Sequence, residues 1–306
     1  MRHFESLEQV SVENAWLTIG SFDGVHRGHQ EIVRNLVTGA RATSAPTVVL
    51  TFYPHPLFVL RGQNGPFYLT SPQERAALLG ELGIDIVITN PFNQQVAATS
   101  ARDFMGKLKR HLGLRQLWVG QDFTLGRNRE GTLPVLRQLG VELGYEVQVL
   151  PPVEVDGFGI SSSQIRILLG KGEVDSAARM LGRPYRLTGQ VVHGDGRGHT
   201  IGIPTANLAI WLERLVPKAG VYACQARFAH RIYAAAVNVG VRPTFDGKTL
   251  APQVEAHLLD FEGDLYDQEI QLDFITRLRD EQRFPNIETL VNQIHHDINR
   301  TRSLLL

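Results

Sequence analysis

The chain has 306 residues, and 31 Lys plus Arg balance 31 Asp plus Glu to give a formal net charge of zero. The length favours two domains, each able to bury its own core. The balanced charge argues against a nucleic-acid partner, because neutralising many phosphates needs a basic excess.

The cysteine content and the N-terminal segment favour a reducing compartment inside the cell. Cys224 is the single cysteine in the sequence, which excludes an internal disulfide and fits a reducing environment. Residues 1–14 lack a basic region followed by an apolar run, and no stretch has the length needed to span a bilayer. We therefore expect a cytoplasmic protein without a membrane partner, and the sequence leaves a homo-oligomer open.

The first half of the chain alternates short apolar runs with amphipathic stretches, which is typical of parallel strands joined by helices. We expect an α/β fold with a Rossmann-like parallel sheet. Ligands of such sheets bind beyond the carboxyl ends of the strands. The predicted strands are Trp16–Gly20, Thr47–Phe52, Asp85–Thr89, Gln116–Gly120 and Tyr145–Leu150, with helices beginning near Gly28, Pro72, Ala101 and Leu133.

The second half changes to strand periodicity after two predicted helices, Ser163–Gly170 and Val174–Leu181. Gly182-Arg183-Pro184 should end helical structure, so the predicted domains are 1–183 and 184–306. The pattern predicts a β-barrel or sandwich, and the apolar spacing after Pro285 predicts a C-terminal helix with one buried face. The predicted strands are Tyr185–Val192, Val221–Phe228, Ile232–Val239, Val254–Asp260 and Glu269–Phe274.

A histidine motif follows the first of these strands and precedes an amphipathic stretch. A helix N-terminus offers unpaired N–H groups and partial positive charge, which favour phosphates. His26 and His29 share a face if the turn is helical, and Gly28 lets a ligand approach closely. The alternative is a chance pair of surface histidines that caps a helix. The complete motif is Phe22-Asp23-Gly24-Val25-His26-Arg27-Gly28-His29.

Other segments belong to the same edge of the predicted sheet. Pro54-His55-Pro56 and Asp122-Phe123 each follow a predicted strand. Ser161 to Ser163 with Arg166 begin a helix, where the serines are equally good N-cap residues and the arginine is equally a surface charge.

A glycine-rich loop marks a second candidate site, from Val192 to Asn207. Gly194, Gly196 and Gly198 let backbone N–H groups approach phosphates. Thr205 and Asn207 supply oxygen ligands that suit Mg²⁺ shared with a nucleotide. The alternative is a hairpin in which Pro204-Thr205 forms a turn.

Glu255 is a carboxylate within a predicted strand, and it is our candidate for the base that accepts the proton of an alcohol during phosphorylation. Strand alternation places it on the face of His257, opposite Val254 and Ala256. If that opposite face is the core, Glu255 is equally a solvated surface residue.

Taken together, the ordered segments resemble the bacterial bifunctional riboflavin kinase/FAD synthetase family from Gly20 to the C-terminal helix. They are the histidine motif, Pro54-His55-Pro56, Asp122-Phe123, Ile160-Ser161-Ser162 with Arg166, Leu181-Gly182-Arg183-Pro184-Tyr185, Pro204-Thr205-Ala206-Asn207, Arg242-Pro243-Thr244 and Glu255 with His257-Leu258-Leu259-Asp260-Phe261.

The resemblance implies an N-terminal nucleotidyltransferase domain that adenylylates FMN to FAD and a C-terminal six-stranded riboflavin kinase barrel. ATP is the co-substrate of both steps, and Mg²⁺ the metal. It implies that His26 and His29 are catalytic and contact ATP phosphates. It further implies ATP contacts for Phe22, Asp23, Gly24, Gly28, Asp122, Ser162 and Arg166, flavin contacts for His55 and Phe123, kinase ATP contacts for Gly194, Gly196, Gly198, Thr205 and Asn207, and a base role for Glu255.

The sequence departs from the family pattern at four positions. His199 and Ile203 stand where the kinase loop often has a cation and an aromatic residue, Leu125 replaces a frequent aromatic, and Asp267 replaces a usual glycine. These changes bear on affinity more than on activity. Two other functions stay open: an adenylyltransferase for another acceptor, such as a pyridine nucleotide or pantetheine phosphate, and a nucleotide- or flavin-binding regulator with inactive sites.

Overall fold

The computed structural model describes residues 1–155, 157–194, 198, 202–243 and 250–306. Within them the chain divides into two compact units, Met1–Ser162 and Ser163–Leu306. The predicted Gly196 and Thr244, and the variant His199, lie outside the described residues.

The first unit is a parallel sheet of six strands in the order β1-β4-β3-β2-β5-β6. Apolar runs that are buried on both faces form three of the inner strands, Trp16–Ile19, Thr47–Tyr53 and Ile86–Pro91, as expected for a sheet covered by helices on each side. The strands are β1 (Arg2–Phe4), β2 (Trp16–Ile19), β3 (Thr47–Tyr53), β4 (Ile86–Pro91), β5 (Gln116–Gly120) and β6 (Glu146–Leu150).

Helices cover both faces of this sheet. One apolar core contains Phe104, Met105 and Leu136, and the other contains Val33, Leu36 and Leu79. The predicted α/β class is confirmed. The helices are α1 (Arg27–Ala42), α2 (Pro56–Arg61), α3 (Pro72–Glu81), α4 (Gln94–Ala97), α5 (Ala101–Leu112) and α6 (Leu133–Leu143), and a small hairpin of β7 (Glu154–Val155) and β8 (Phe158–Gly159) follows.

The second unit is a closed antiparallel barrel in the order β10-β13-β12-β11-β14-β9, which settles the choice between barrel and sandwich. Side chains that alternate inward, such as Leu187, Val237 and Leu272, fill its core. The strands are β9 (Tyr185–Val192), β10 (Ala206–Ile210), β11 (Gly220–Phe228), β12 (Arg231–Pro243), β13 (Leu250–Leu258) and β14 (Glu269–Arg279).

Helices α7 (Ser162–Lys171), α8 (Val174–Leu181) and α9 (Ile287–Leu305) accompany the barrel. The α7 and α8 helices fall almost wholly in the second unit, where the Lys218 amide donates to the Leu169 carbonyl at 2.9 Å. The α9 helix is the predicted C-terminal helix, capped by the Asn286 side chain. Among the described residues, no helix combines the length and the apolar character that a bilayer crossing requires.

Two candidate active sites

The histidine motif lies at the turn between β2 and α1. In the sheet, β2 lies between β3 and β5, so the chain continues from β2 to one side first and to the other side later. Such a switch point opens the crevice in which α/β sheets bind ligands. The turn contains left-handed backbone at Phe22 (φ 48°), Gly24 (φ 81°) and Val25 (φ 40°). For a β-branched or aromatic residue this conformation is strained, and strain of this kind is typical of functional sites.

Asp23 holds this turn from inside. Its fully buried carboxylate accepts hydrogen bonds from the Leu69 amide at 3.0 Å and from the Thr70 amide at 3.1 Å, and the Gly24 amide donates to the Thr70 hydroxyl at 3.1 Å. These contacts tie the turn to the segment before α3. The predicted contact of Asp23 with ATP stays a prediction, since these bonds are internal to the protein.

His26 caps α1, and its Nδ1 accepts a hydrogen bond from the His29 amide at 3.3 Å. In the neutral ring this leaves the proton on Nε2, which is then a donor. The rings of His26 and His29 stack with their centroids 3.6 Å apart. Gly28 makes room for this arrangement, because a Cβ there would lie 3.2 Å from the His26 ring. The sequence therefore brings two imidazoles together at a helix N-terminus.

His29 is enclosed in this arrangement. Its ring packs against Phe22 with a centroid distance of 4.8 Å, and its Nδ1 atom is buried without a hydrogen-bond partner among the described residues. Burial, followed by the charges of His26 and Arg75, lowers the pKa of His29 well below its usual value. The ring is thus neutral near pH 7, and a buried polar atom without a partner marks a place where a ligand group would be favourable.

Arg75 is a fully buried residue of α3 that was not predicted as part of the site. Its Nη2 lies 3.8 Å from the Asp23 carboxylate, and its Nη1 donates to the Thr51 hydroxyl at 2.9 Å. The Thr51 hydroxyl in turn donates to the Ser21 carbonyl at 2.9 Å. Arg75 therefore links the histidine turn to the end of β3 and supplies a fixed positive charge behind it.

Further predicted residues lie at the same edge of the sheet. Asp122 and Phe123 follow β5, with Asp122 exposed and Phe123 half-buried against the core.

His55 caps α2, and its amide donates to the Tyr68 hydroxyl at 2.7 Å. The centroid of its ring lies 5.0 Å from that of Phe67. Aromatic rings pack around this segment, with Phe67 and Tyr68 buried among them. The other rings of the group are Tyr53 and Phe58. The predicted contact of His55 with a flavin stays a prediction.

Ser162 also reaches the histidine turn, because its hydroxyl donates to the Asp23 carbonyl at 2.8 Å. Arg166 lies one turn later in α7, half-buried and within the second unit. Direct contact of either side chain with ATP stays a prediction.

The second candidate site is a cavity of about 840 Å³ in the barrel unit. Its lining joins residues of the glycine-rich loop, of five barrel strands and of the C-terminal helix. The predicted residues in this lining are Gly194, Gly198, Thr205, Asn207 and Glu255.

The two described glycines lie against the two oxygen-bearing side chains. A Cβ at Gly194 would lie 2.2 Å from Nδ2 of Asn207, and a Cβ at Gly198 would lie 3.1 Å from the Thr205 hydroxyl. A larger residue at either position would displace its neighbour. The positions of Asn207 and Thr205 thus depend on the absence of a side chain at both glycines.

Glu255 is flanked by amides on both neighbouring strands. In the register of the barrel it is opposite Asn207 on β10 and opposite Asn238 on β12. Val254 and Ala256 are buried in the core as the alternation predicts, and Glu255 is half-buried and lines the cavity. Its role as a base stays a prediction. Asn238 was missed because only the strand register brings it to Glu255.

The C-terminal segment adds both apolar and polar residues to the cavity lining. Phe284, Ile287 and Leu290 are apolar, whereas Glu281 and Gln282 are polar. The Asp297 carboxylate, almost fully buried, holds α9 in place by accepting from Arg279 Nη2 at 2.7 Å. A ligand in this cavity would therefore meet carboxylate and amide groups as well as apolar side chains.

The donor set fits a magnesium ion that arrives with a nucleotide. Thr205 and Asn207 are neutral oxygen donors, and no cluster of three or more His, Cys, Asp or Glu that could hold a metal exists among the described residues. Mg²⁺ keeps water and phosphate ligands and needs only one or two protein oxygens. These two side chains would therefore hold the ion together with phosphates.

The comparisons with known proteins agree with the two-unit division. The FAD synthetase family model matches residues 8–164, and the riboflavin kinase family model matches residues 181–305. A solved structure titled as a macrolide-efflux protein from Streptococcus pneumoniae is 31% identical, with a TM-score of 0.89 and 98% of each chain covered.

Curated relatives match along nearly the whole chain. A bifunctional riboflavin kinase/FMN adenylyltransferase of Pseudomonas fluorescens is 40% identical over 94% of this chain and 92% of its own length. The protein of the same description from Escherichia coli K12 is 36% identical over 97% and 95%. With both domains matched in order, the chain belongs to the bifunctional riboflavin kinase/FMN adenylyltransferase family.

Proposed function

We propose that this chain makes FAD from riboflavin in two ATP-dependent steps, one in each unit. The barrel phosphorylates riboflavin to FMN, and the α/β unit adenylylates FMN and releases pyrophosphate. The observation that carries the proposal is the barrel cavity of about 840 Å³, whose lining holds Glu255 beside the two asparagines that flank it in the strand register.

In the kinase step, the apolar residues of the lining bind the isoalloxazine ring and the ribityl chain points to Glu255. Glu255 accepts the proton of the terminal hydroxyl as the hydroxyl oxygen attacks the γ-phosphorus of ATP, and ADP leaves. Thr205 and Asn207 would hold Mg²⁺, which would supply positive charge to the phosphates when bound. Gly194 and Gly198 give the phosphates access to backbone amides, and Gly196 is proposed as a further ATP contact.

The adenine of ATP has a suitable place beside these glycines. Tyr266 lines the cavity, and His193 stacks on it with a centroid distance of 3.9 Å. An aromatic face at this position suits a nucleobase. We assign the adenine subsite to this pair.

In the adenylyl step, His26 and His29 donate to the phosphates of ATP while the phosphate of FMN attacks the α-phosphorus. The nucleophile is already an anion, so this site needs positioned donors more than a strong base. The N-terminus of α1 and the buried Arg75 add positive potential. Direct contacts of Phe22, Asp23, Gly24, Gly28, Asp122, Ser162 and Arg166 with ATP, and of His55 and Phe123 with the flavin, are part of this proposal.

The functional domains are proposed as residues 1–183 and 184–306. We further propose that the enzyme works in the cytoplasm, where ATP is abundant and a chain with one buried cysteine stays reduced. Burial raises the pKa of the Cys224 thiol well above its usual value, so the thiol stays protonated and unreactive.

The test is to incubate the purified protein with riboflavin, ATP and Mg²⁺ and to separate riboflavin, FMN and FAD. Formation of both products supports the proposal, and absence of both contradicts it. FMN without FAD would point to an adenylyltransferase for another acceptor. Binding of flavin or ATP without turnover would point to a regulator with inactive sites.

A further inference from the structure

Gln253 connects two residues of the kinase site. It lies on β13 two positions before Glu255, on the same face of the strand, half-buried in the lining of the cavity. Its Nε2 donates to Oδ1 of Asn207 at 3.3 Å and also to Oε1 of Glu255. An amide nitrogen has two hydrogens, so this one group can serve both oxygens at once.

The bond to Gln253 fixes which way the Asn207 amide points. On the other side of Asn207 lies Gly194, and the Asn207 atom closest to its missing Cβ is Nδ2. The amide nitrogen therefore faces the glycine and the amide oxygen faces Gln253. Without Gln253 the amide could rotate by half a turn at small cost, because the two ends of an amide have nearly the same shape.

We propose that Gln253 is a positioning residue of the kinase site. Its two hydrogen bonds hold the Asn207 oxygen and the Glu255 carboxylate at fixed positions relative to each other. The inference rests on the proposed kinase function. Gln253 does not touch the flavin in this scheme. Its loss therefore lowers the rate of phosphoryl transfer and leaves the affinity for riboflavin in place.

The experiment compares Gln253→Met, which keeps the length of the side chain and removes the donor, with Gln253→Leu, which removes the donor and keeps a branched side chain. The matched control is Gln271→Met, a half-buried glutamine of β14 outside the cavity lining. Three quantities are measured: kcat and KM of riboflavin phosphorylation, the dissociation constant of riboflavin from fluorescence quenching without ATP or Mg²⁺, and the melting temperature.

We expect both Gln253 variants to lose about tenfold in kcat, the effect of about one strong hydrogen bond. The riboflavin dissociation constant, the melting temperature and the adenylylation of supplied FMN should stay at the wild-type level, as they should for Gln271→Met. An unchanged kcat would overturn the inference. So would a parallel loss of riboflavin affinity, of stability or of folding in both variants, because that pattern indicates a merely structural role. If the wild type makes no FMN from riboflavin, the proposed function itself fails.

Discussion

Replacing Gly194 by alanine should disable the kinase step alone. The added Cβ would lie 2.2 Å from Nδ2 of Asn207, whereas ordinary contacts begin at 3.4 Å, so the amide must move by about 1.2 Å. The backbone of Asn207 cannot follow, because its strand is paired with Glu255 on one side and Val192 on the other. The side chain must therefore rotate away from the position where it would meet the ATP phosphates.

A displacement of about 1 Å in a positioning group can cost about 100-fold in rate, or about 2.8 kcal/mol. We expect this loss in kcat/KM for riboflavin phosphorylation, measured by separation of riboflavin and FMN. Gly170→Ala is the control, because a Cβ at Gly170 meets open space at the end of α7. Phosphorylation by Gly194→Ala within threefold of wild type would refute the role assigned to Asn207, and equal loss of FMN adenylylation would indicate global misfolding.

Three further predictions concern stability. Asp267 adopts left-handed backbone (φ 61°), so Asp267→Gly should stabilise the protein by about 0.5–1 kcal/mol in thermal denaturation, and a lower melting temperature would contradict this. The lowered pKa of His29 means that the unfolded state takes up the proton first, so its contribution to stability is present above pH 6.5 and is lost as the pH falls. His29→Gln should therefore flatten the pH dependence of the melting temperature below pH 6.5, and an unchanged slope would exclude that contribution. Arg75→Met removes a positive charge 3.8 Å from the buried Asp23 carboxylate and should cost about 3–5 kcal/mol by denaturant unfolding; a loss below 1 kcal/mol would show that the pair is not closely coupled.

Much of the fold could be predicted from the sequence, because local patterns carry it. The strand Thr47–Phe52 was predicted as an apolar run and lies in the sheet as Thr47–Tyr53. Strand β10 was missed, since Pro204 and Asn207 suggest a loop, although the segment Ala206–Ile210 pairs with β9 and β13 and closes the barrel. Tertiary pairing decides this strand, and local propensity does not.

The same contrast between local and tertiary information applies to the residues of the candidate sites. His26 and His29 could be predicted because motif, strand and helix start are adjacent in the chain. Arg75 could not, because an arginine in Pro-Gln-Glu-Arg resembles a surface residue of a helix start, and its partner Asp23 is distant in sequence. Asn238 likewise depends on the register of β12 against β13, which one sequence does not specify.

In the proposed function, two separate sites in one chain perform two successive reactions. This is tested by the product pattern of His29→Ala and Glu255→Ala, each incubated with riboflavin, ATP and Mg²⁺ and, separately, with FMN, ATP and Mg²⁺. His29→Ala should accumulate FMN without FAD, and Glu255→Ala should form FAD from supplied FMN but nothing from riboflavin. Loss of the opposite step in either variant would contradict the account.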